Sequence, residues 1–142
     1  MAVALLALLA ALPLRADLAA ARAEPNLEKR ARMALDNATS AFKAAQNAYN
    51  KGEMNETQAL VEEVSASVTL AYESLKQTGK NASRDPRHFK SAEIRTRQLL
   101  RQMSDFRQQM SALDRDGIER AHAIVQKVHD DLLSAIMGVK KP

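Results

Sequence analysis

Three histidines, His88, His122 and His129, are the natural places to look for chemistry in this chain, because imidazole both titrates near neutrality and ligates metals. Glu119-Arg120-Ala121-His122 is an E-x-x-H step, which puts a carboxylate and an imidazole on one helix face. Dinuclear metal sites in helical bundles use that step twice, with a Glu from each of two further helices. Here the step occurs once, and Gln126 stands three residues before His129. Glu119 and His122 flank their apolar stripe, so the pair reads as a solvated contact worth a few tenths of a kcal/mol. His122 and His129 share a face but lie about 10 Å apart along a helix, too far for one metal ion. Ser40-Ala41-Phe42-Lys43 has S-x-x-K spacing without its companion motifs. No glycine-rich phosphate loop occurs, and Glu62-Glu63 and Asp130-Asp131 are adjacent in sequence, so each pair splits across a helix surface. No catalytic, cofactor or metal set is assigned, and the chain is read as non-enzymatic.

The cations are more informative. Residues 24–79 hold 6 Lys/Arg against 8 Asp/Glu, whereas residues 80–142 hold 13 against 8. Within the basic half, Lys80, Arg84, Arg87, Lys90, Arg95, Arg97 and Arg101 face only Asp85 and Glu93 up to position 101. Arg87, Lys90, Arg97 and Arg101 fall at i, i+3, i+10 and i+14, one side of a helix, and form a ridge about 21 Å long. The guanidinium fork takes two oxygens at once, so such a ridge suits phosphate or carboxylate partners. For an exported protein these are an anionic envelope polymer, a lipid head group or an acidic protein face, including the acidic half of a second copy. Tyr49, Tyr72, Phe42, Phe89 and Phe106 are the only aromatics, and four of the five lie on or beside apolar seams. That leaves little for base stacking and argues against nucleic acid.

Export is read from the N-terminus. Residues 2–14 carry no charge and are mostly Ala and Leu. Thirteen residues suit the apolar core of a secretory signal, whereas a membrane span needs ~20. Small-residue cleavage sites follow at Ala21-Arg22-Ala23 and, less well placed, at Leu14-Arg15-Ala16. The expected organisation is a signal peptide over residues 1–23 and a helical bundle over 24–142. No Cys follows the apolar run, which removes a bacterial lipid anchor, and no later stretch is long and apolar enough to span a bilayer. An exported chain without Cys fits a periplasmic or secreted bacterial protein better than a disulfide-stapled extracellular domain. The triplets at Asn37, Asn55 and Asn81 match the glycan acceptor pattern and read as accidental.

The elements that carry these residues follow from period. The chain has 142 residues, 46% of them hydrophobic, with four Gly and four Pro, too few turn residues for a β-rich protein. Ala31, Leu35, Ala38, Phe42, Ala45 and Tyr49 alternate in steps of 4 and 3. So do Thr57, Val61, Val64, Val68, Ala71 and Leu75, then Phe89, Ala92, Thr96, Leu99, Met103, Phe106, Met110 and Leu113. Ile118, Ala121, Val125, Val128, Leu132 and Ala135 complete the set. Sustained alternation of this kind is the seam of helices packed nearly parallel. Helices are predicted over about 25–51, 55–78, 86–113 and 117–137. Pro25 is placed in a first turn, Gly52 and Gly79 at helix ends, Asn55 with Gln58 as a capping pair, and Asp85 as a cap before Pro86. The segment Asp114-Arg115-Asp116-Gly117 is read as a turn rather than a kink, since a helical Gly costs ~1 kcal/mol. The fold class is all-α: an antiparallel up-down four-helix bundle of two long hairpins after the signal peptide. Its stripes are rich in Ala and Thr, and that thin core leaves room for a homodimer.

Two resemblances follow. The turn over residues 47–56 resembles the helix–helix turn of tetratricopeptide repeats, without that family's 34-residue period. The exported four-helix topology, with Met33 on the first helix and His129 on the last, is similar to cytochromes of the b562 type. That likeness implies non-covalent haem held between those two residues, and a haem- or metal-binding electron-transfer bundle stands as the alternative function. Met33 sits off the heptad stripe, however, and the core lacks the aromatics of a haem pocket.

Overall fold

The computed structural model describes residues 14–140, all helix, turn and loop, with no strand among them. Residues 1–13, which hold most of the predicted signal, lie outside the described residues. Five helices follow in order: α1 (Leu14–Ala23), α2 (Leu27–Asn50), α3 (Met54–Gln77), α4 (Arg87–Gln109) and α5 (Asp116–Met137). The predicted cleavage site Ala21-Arg22-Ala23 falls in α1, whose Leu18 and Ala21 are buried against the α2/α3 pair.

Small residues bring α2 and α3 together more closely than any other pair. Ala34, Ala41 and Ala48 on α2 and Ser67 and Ser74 on α3 are all buried. Ser74 satisfies its hydroxyl by donating to the Leu70 carbonyl, 2.7 Å away within its own helix. Asn37 donates from one amide nitrogen to Glu63 Oε1 and Ser67 Oγ, both at 2.9 Å, and so pins the register of the hairpin. Its turn is tight: Gly52 takes φ +76°, and the Gly52 and Glu53 N–H groups donate to the Tyr49 and Ala48 carbonyls.

The two hairpins, α2/α3 and α4/α5, stack side by side with like-directed helices adjacent. His88 meets Glu28 at 2.9 Å and Arg95 meets Asp36 at 2.8 Å, so α2 and α4 run in the same direction. Arg107 meets Glu119 and His129 meets Glu93, so α4 and α5 run in opposite directions. α3 packs along α5, and α2 and α5 take opposite corners. The bundle therefore alternates up and down along the chain, yet its neighbours across the hairpin boundary are parallel. Short antiparallel connections alone would have placed α5 beside α2. The linker over residues 78–86 instead crosses the end of the bundle. It is held by Asn81, whose Oδ1 accepts from the Ser83 N–H and hydroxyl and the Arg84 N–H.

The seams pack as the stripes require, with one departure. Phe106 of α4 stands edge-on to Phe42 and Tyr49 of α2, with ring centroids 5.7 and 5.5 Å apart. Four residues earlier than predicted, α4 ends: Met110 is extended at ψ 147°, a 3-10 turn covers Ala112–Asp114, and Leu113 is 93% exposed. The cause lies 62 residues away, where the Tyr49 hydroxyl accepts the Ser111 N–H at 2.9 Å. The same hydroxyl donates to Asp114 Oδ2 at 3.1 Å. Asp114-Arg115-Asp116-Gly117 thus forms a break, with Gly117 in the first turn of α5.

Several expected caps are also corrected. Asn26 rather than Pro25 opens α2, its Oδ1 accepting the Lys29 N–H at 2.9 Å. Helix α3 begins at Met54, so Asn55 and Gln58 lie inside it, and neither Asp85 nor any other side chain caps α4. The tightness of the Gly52 turn explains the misplaced Asn55 cap: it delivers the chain into helix before Asn55 is reached.

Ion pairs tie the linker to the bundle end. Lys80 donates to Glu28, and His88 faces the other oxygen of the same carboxylate. The Lys80 ammonium holds the Glu28 carboxyl below its ordinary value near 4.5, and Lys29 does the same to Glu24. A carboxyl with a lowered folded pKa stabilises the fold above its unfolded value and loses that contribution as the solution is acidified. Thermal unfolding should therefore fall in midpoint between about pH 5 and about pH 3, and Glu28→Gln should flatten part of that slope. Phe106→Ala should cost about 3–5 kcal/mol in urea unfolding followed by circular dichroism, because it leaves a void between the hairpins.

Candidate functional site: a basic helix face

The inward row of α4 decides what its outer side presents. Phe89, Ala92, Thr96, Leu99, Met103 and Phe106 are buried, and Thr96 satisfies its hydroxyl on the Glu93 carbonyl at 2.9 Å. At ~100° per residue, Arg87, Lys90, Arg97 and Arg101 then fall within about a quarter turn of one another on the opposite side. All four are exposed. Arg97 Nε lies 3.5 Å from Glu93 Oε1, a loose contact, while the side chains of Arg87, Lys90 and Arg101 make no hydrogen bond or close ion pair among the described residues, although the Arg87 charge helps to lower the Glu28 carboxyl. Ile94, 52% exposed, sits between Lys90 and Arg97 on the same arc. Sequence reading passed over it, although the same angular arithmetic places it there.

Two other cations of the basic stretch are drawn elsewhere. Arg95 turns to Asp36 on α2. Lys80 is engaged by Glu28, whose carboxylate raises the ammonium above its ordinary value, and it lies 3.7 Å from Asp85. The ridge is thus a set of four exposed cations on one helix, while Lys80 and Arg95 beside it are already paired.

The remaining candidates are not brought together. Glu119 pairs with Arg107 at 2.9 Å, while His122 Nε2 meets Ser104 Oγ at 3.1 Å, so the E-x-x-H step points its two groups at different partners on α4. His129 Nε2 lies 3.0 Å from Glu93 Oε1, with both side chains 13% exposed. Met33 is half-buried on α2, at the opposite corner from α5, so the structure does not set it against His129. Ser40 and Lys43 are both exposed on α2. Among the described residues no three His, Asp or Glu side chains form a metal-holding group, and no helix is long and apolar enough to cross a membrane.

Comparison of the chain with protein-family models, with curated proteins and with solved structures finds no match to any of them.

Proposed function

We propose that this is an exported, non-enzymatic helical binding protein that docks an anionic polymer of the cell envelope on the outer face of α4. The observation that carries the reading is the exposed alignment of Arg87, Lys90, Arg97 and Arg101, none of them in a close ion pair and two, Lys90 and Arg101, with no acid beside them among the described residues. Each cation held on a helix is pre-positioned, so an extended polyanion gains several charge-assisted contacts without ordering the protein. Export is supported by the uncharged Ala/Leu run at residues 2–14 and the small-residue site that follows it. The non-enzymatic reading is supported by where the reactive side chains go: each histidine is tied to a different neighbour, and the S-x-x-K pair lies open on a helix.

An immobilised polyanion such as polyphosphate tests the reading. The protein should be retained at low salt and released as ionic strength rises, because the screening length shrinks to ~10 Å by about 0.1 M. Reversing Arg97 and Arg101 together to Glu should abolish retention. Reversing Lys43 and Lys51 to Glu makes the same change in net charge away from the ridge and should leave most of it. Equal losses from the two double variants would show that overall charge, not the α4 face, does the binding.

A further inference from the structure

The contact between α2 and α4 is the loosest of the four sides of the bundle, and it holds a cleft of about 310 Å³ near the helix starts. That volume is at the lower end of small-ligand sites, ~300–1,000 Å³. The floor is apolar: Ala31, Leu35 and Leu75 line it, each at most 6% exposed. The walls are polar and regular. Glu28 on α2 meets His88 on α4 at 2.9 Å, and Asp36 meets Arg95 at 2.8 Å. These two cross-helix pairs stand about 12 Å apart along α2.

Midway between them, one turn from each, α2 carries Arg32, and α4 carries Ser91 between His88 and Arg95. The middle position of this ladder therefore has a cation on one helix and only a short hydroxyl side chain on the other. Arg32 makes no hydrogen bond or ion pair among the described residues, although acids answer His88 and Arg95 on either side.

We propose that this cleft binds a small monocarboxylate with a short apolar tail. The carboxylate takes the guanidinium of Arg32 and the hydroxyl of Ser91, completing the ladder, and the tail lies on Ala31, Leu35 and Leu75. A single negative charge fits better than a phosphate dianion, because Glu28 and Asp36 already place carboxylates on both sides of the position. The apolar floor favours a tail over a bare inorganic ion. The cleft lies on the α2 flank of α4, facing away from Lys90, Arg97 and Arg101; of the polyanion face only Arg87 comes near it, close enough to act on Glu28.

Octanoate, octanol and inorganic phosphate titrated into the full chain, followed by amide NMR shifts, test this. Octanoate should bind saturably, with shifts centred on residues 28–36 and 88–95, and octanol and phosphate should each bind about tenfold more weakly or not at all. Arg32→Gln should weaken octanoate by about tenfold, and Ser91→Phe, at an exposed position on the cleft mouth, should block it. Arg101→Glu, on the ridge, should leave octanoate unaffected, which separates this site from the polyanion reading. Octanoate shifts that do not saturate, octanol binding as tightly as octanoate, phosphate binding more tightly, or equal affinity in Arg32→Gln would each overturn the proposal.

Discussion

The apolar row on α4 fixes almost everything else about this molecule. Phe106 is its anchor, wedged edge-on between Phe42 and Tyr49. Once that ring is seated and Met103 is buried on the same row, the rotation of α4 about its own axis is set. Burying a full aromatic side chain is worth on the order of 2–3 kcal/mol, more than any surface ion pair returns, so the apolar row dictates and the charges follow. The four ridge cations are exposed because their spacing puts them opposite that row. Arg95, displaced round the helix from them, reaches the α2 side and finds Asp36.

The second constraint is the way the hairpins stack. Like-directed neighbours bring the beginning of α2 beside the beginning of α4, and both helices present their N-terminal turns at one end. Glu28 then sits where two helix starts favour a negative charge, and Lys80 from the crossing linker and His88 gather on it. Simple antiparallel neighbours would have put α5 against α2 and separated Arg32 from Ser91. The cleft between α2 and α4 exists because these two helices meet through ion pairs near their starts and through aromatic rings only toward their far ends.

Much of this was legible in the sequence. The 3-4 stripes named Phe89, Ala92, Thr96, Leu99, Met103, Phe106 and Met110 as inward, and all seven are buried. Helix arithmetic also put the four ridge cations on one side. What escaped was long-range. Nothing near Ser111 announces that a tyrosine 62 residues earlier will take its N–H and end the helix, leaving Leu113 in solvent. An apolar stripe looks the same whichever helix lies against it, so the parallel stacking of the hairpins was hidden. The placing of Arg32 and Ser91 in the lining of one cleft was hidden with it. The caps at Asn55 and Asp85 failed because local preference was read where tight turns and the crossing linker set the helix starts.

The orientation of α4 is the claim on which the rest stands, and the lack of native cysteine makes it directly measurable. Single cysteines placed through residues 87–103 would be challenged with a maleimide in the folded protein. Fast reaction at 87, 90, 94, 97 and 101, with slow reaction at 89, 92, 96, 99 and 103, is the pattern this structure requires. A flat profile, or one whose protected positions include Lys90 and Arg97, would contradict it.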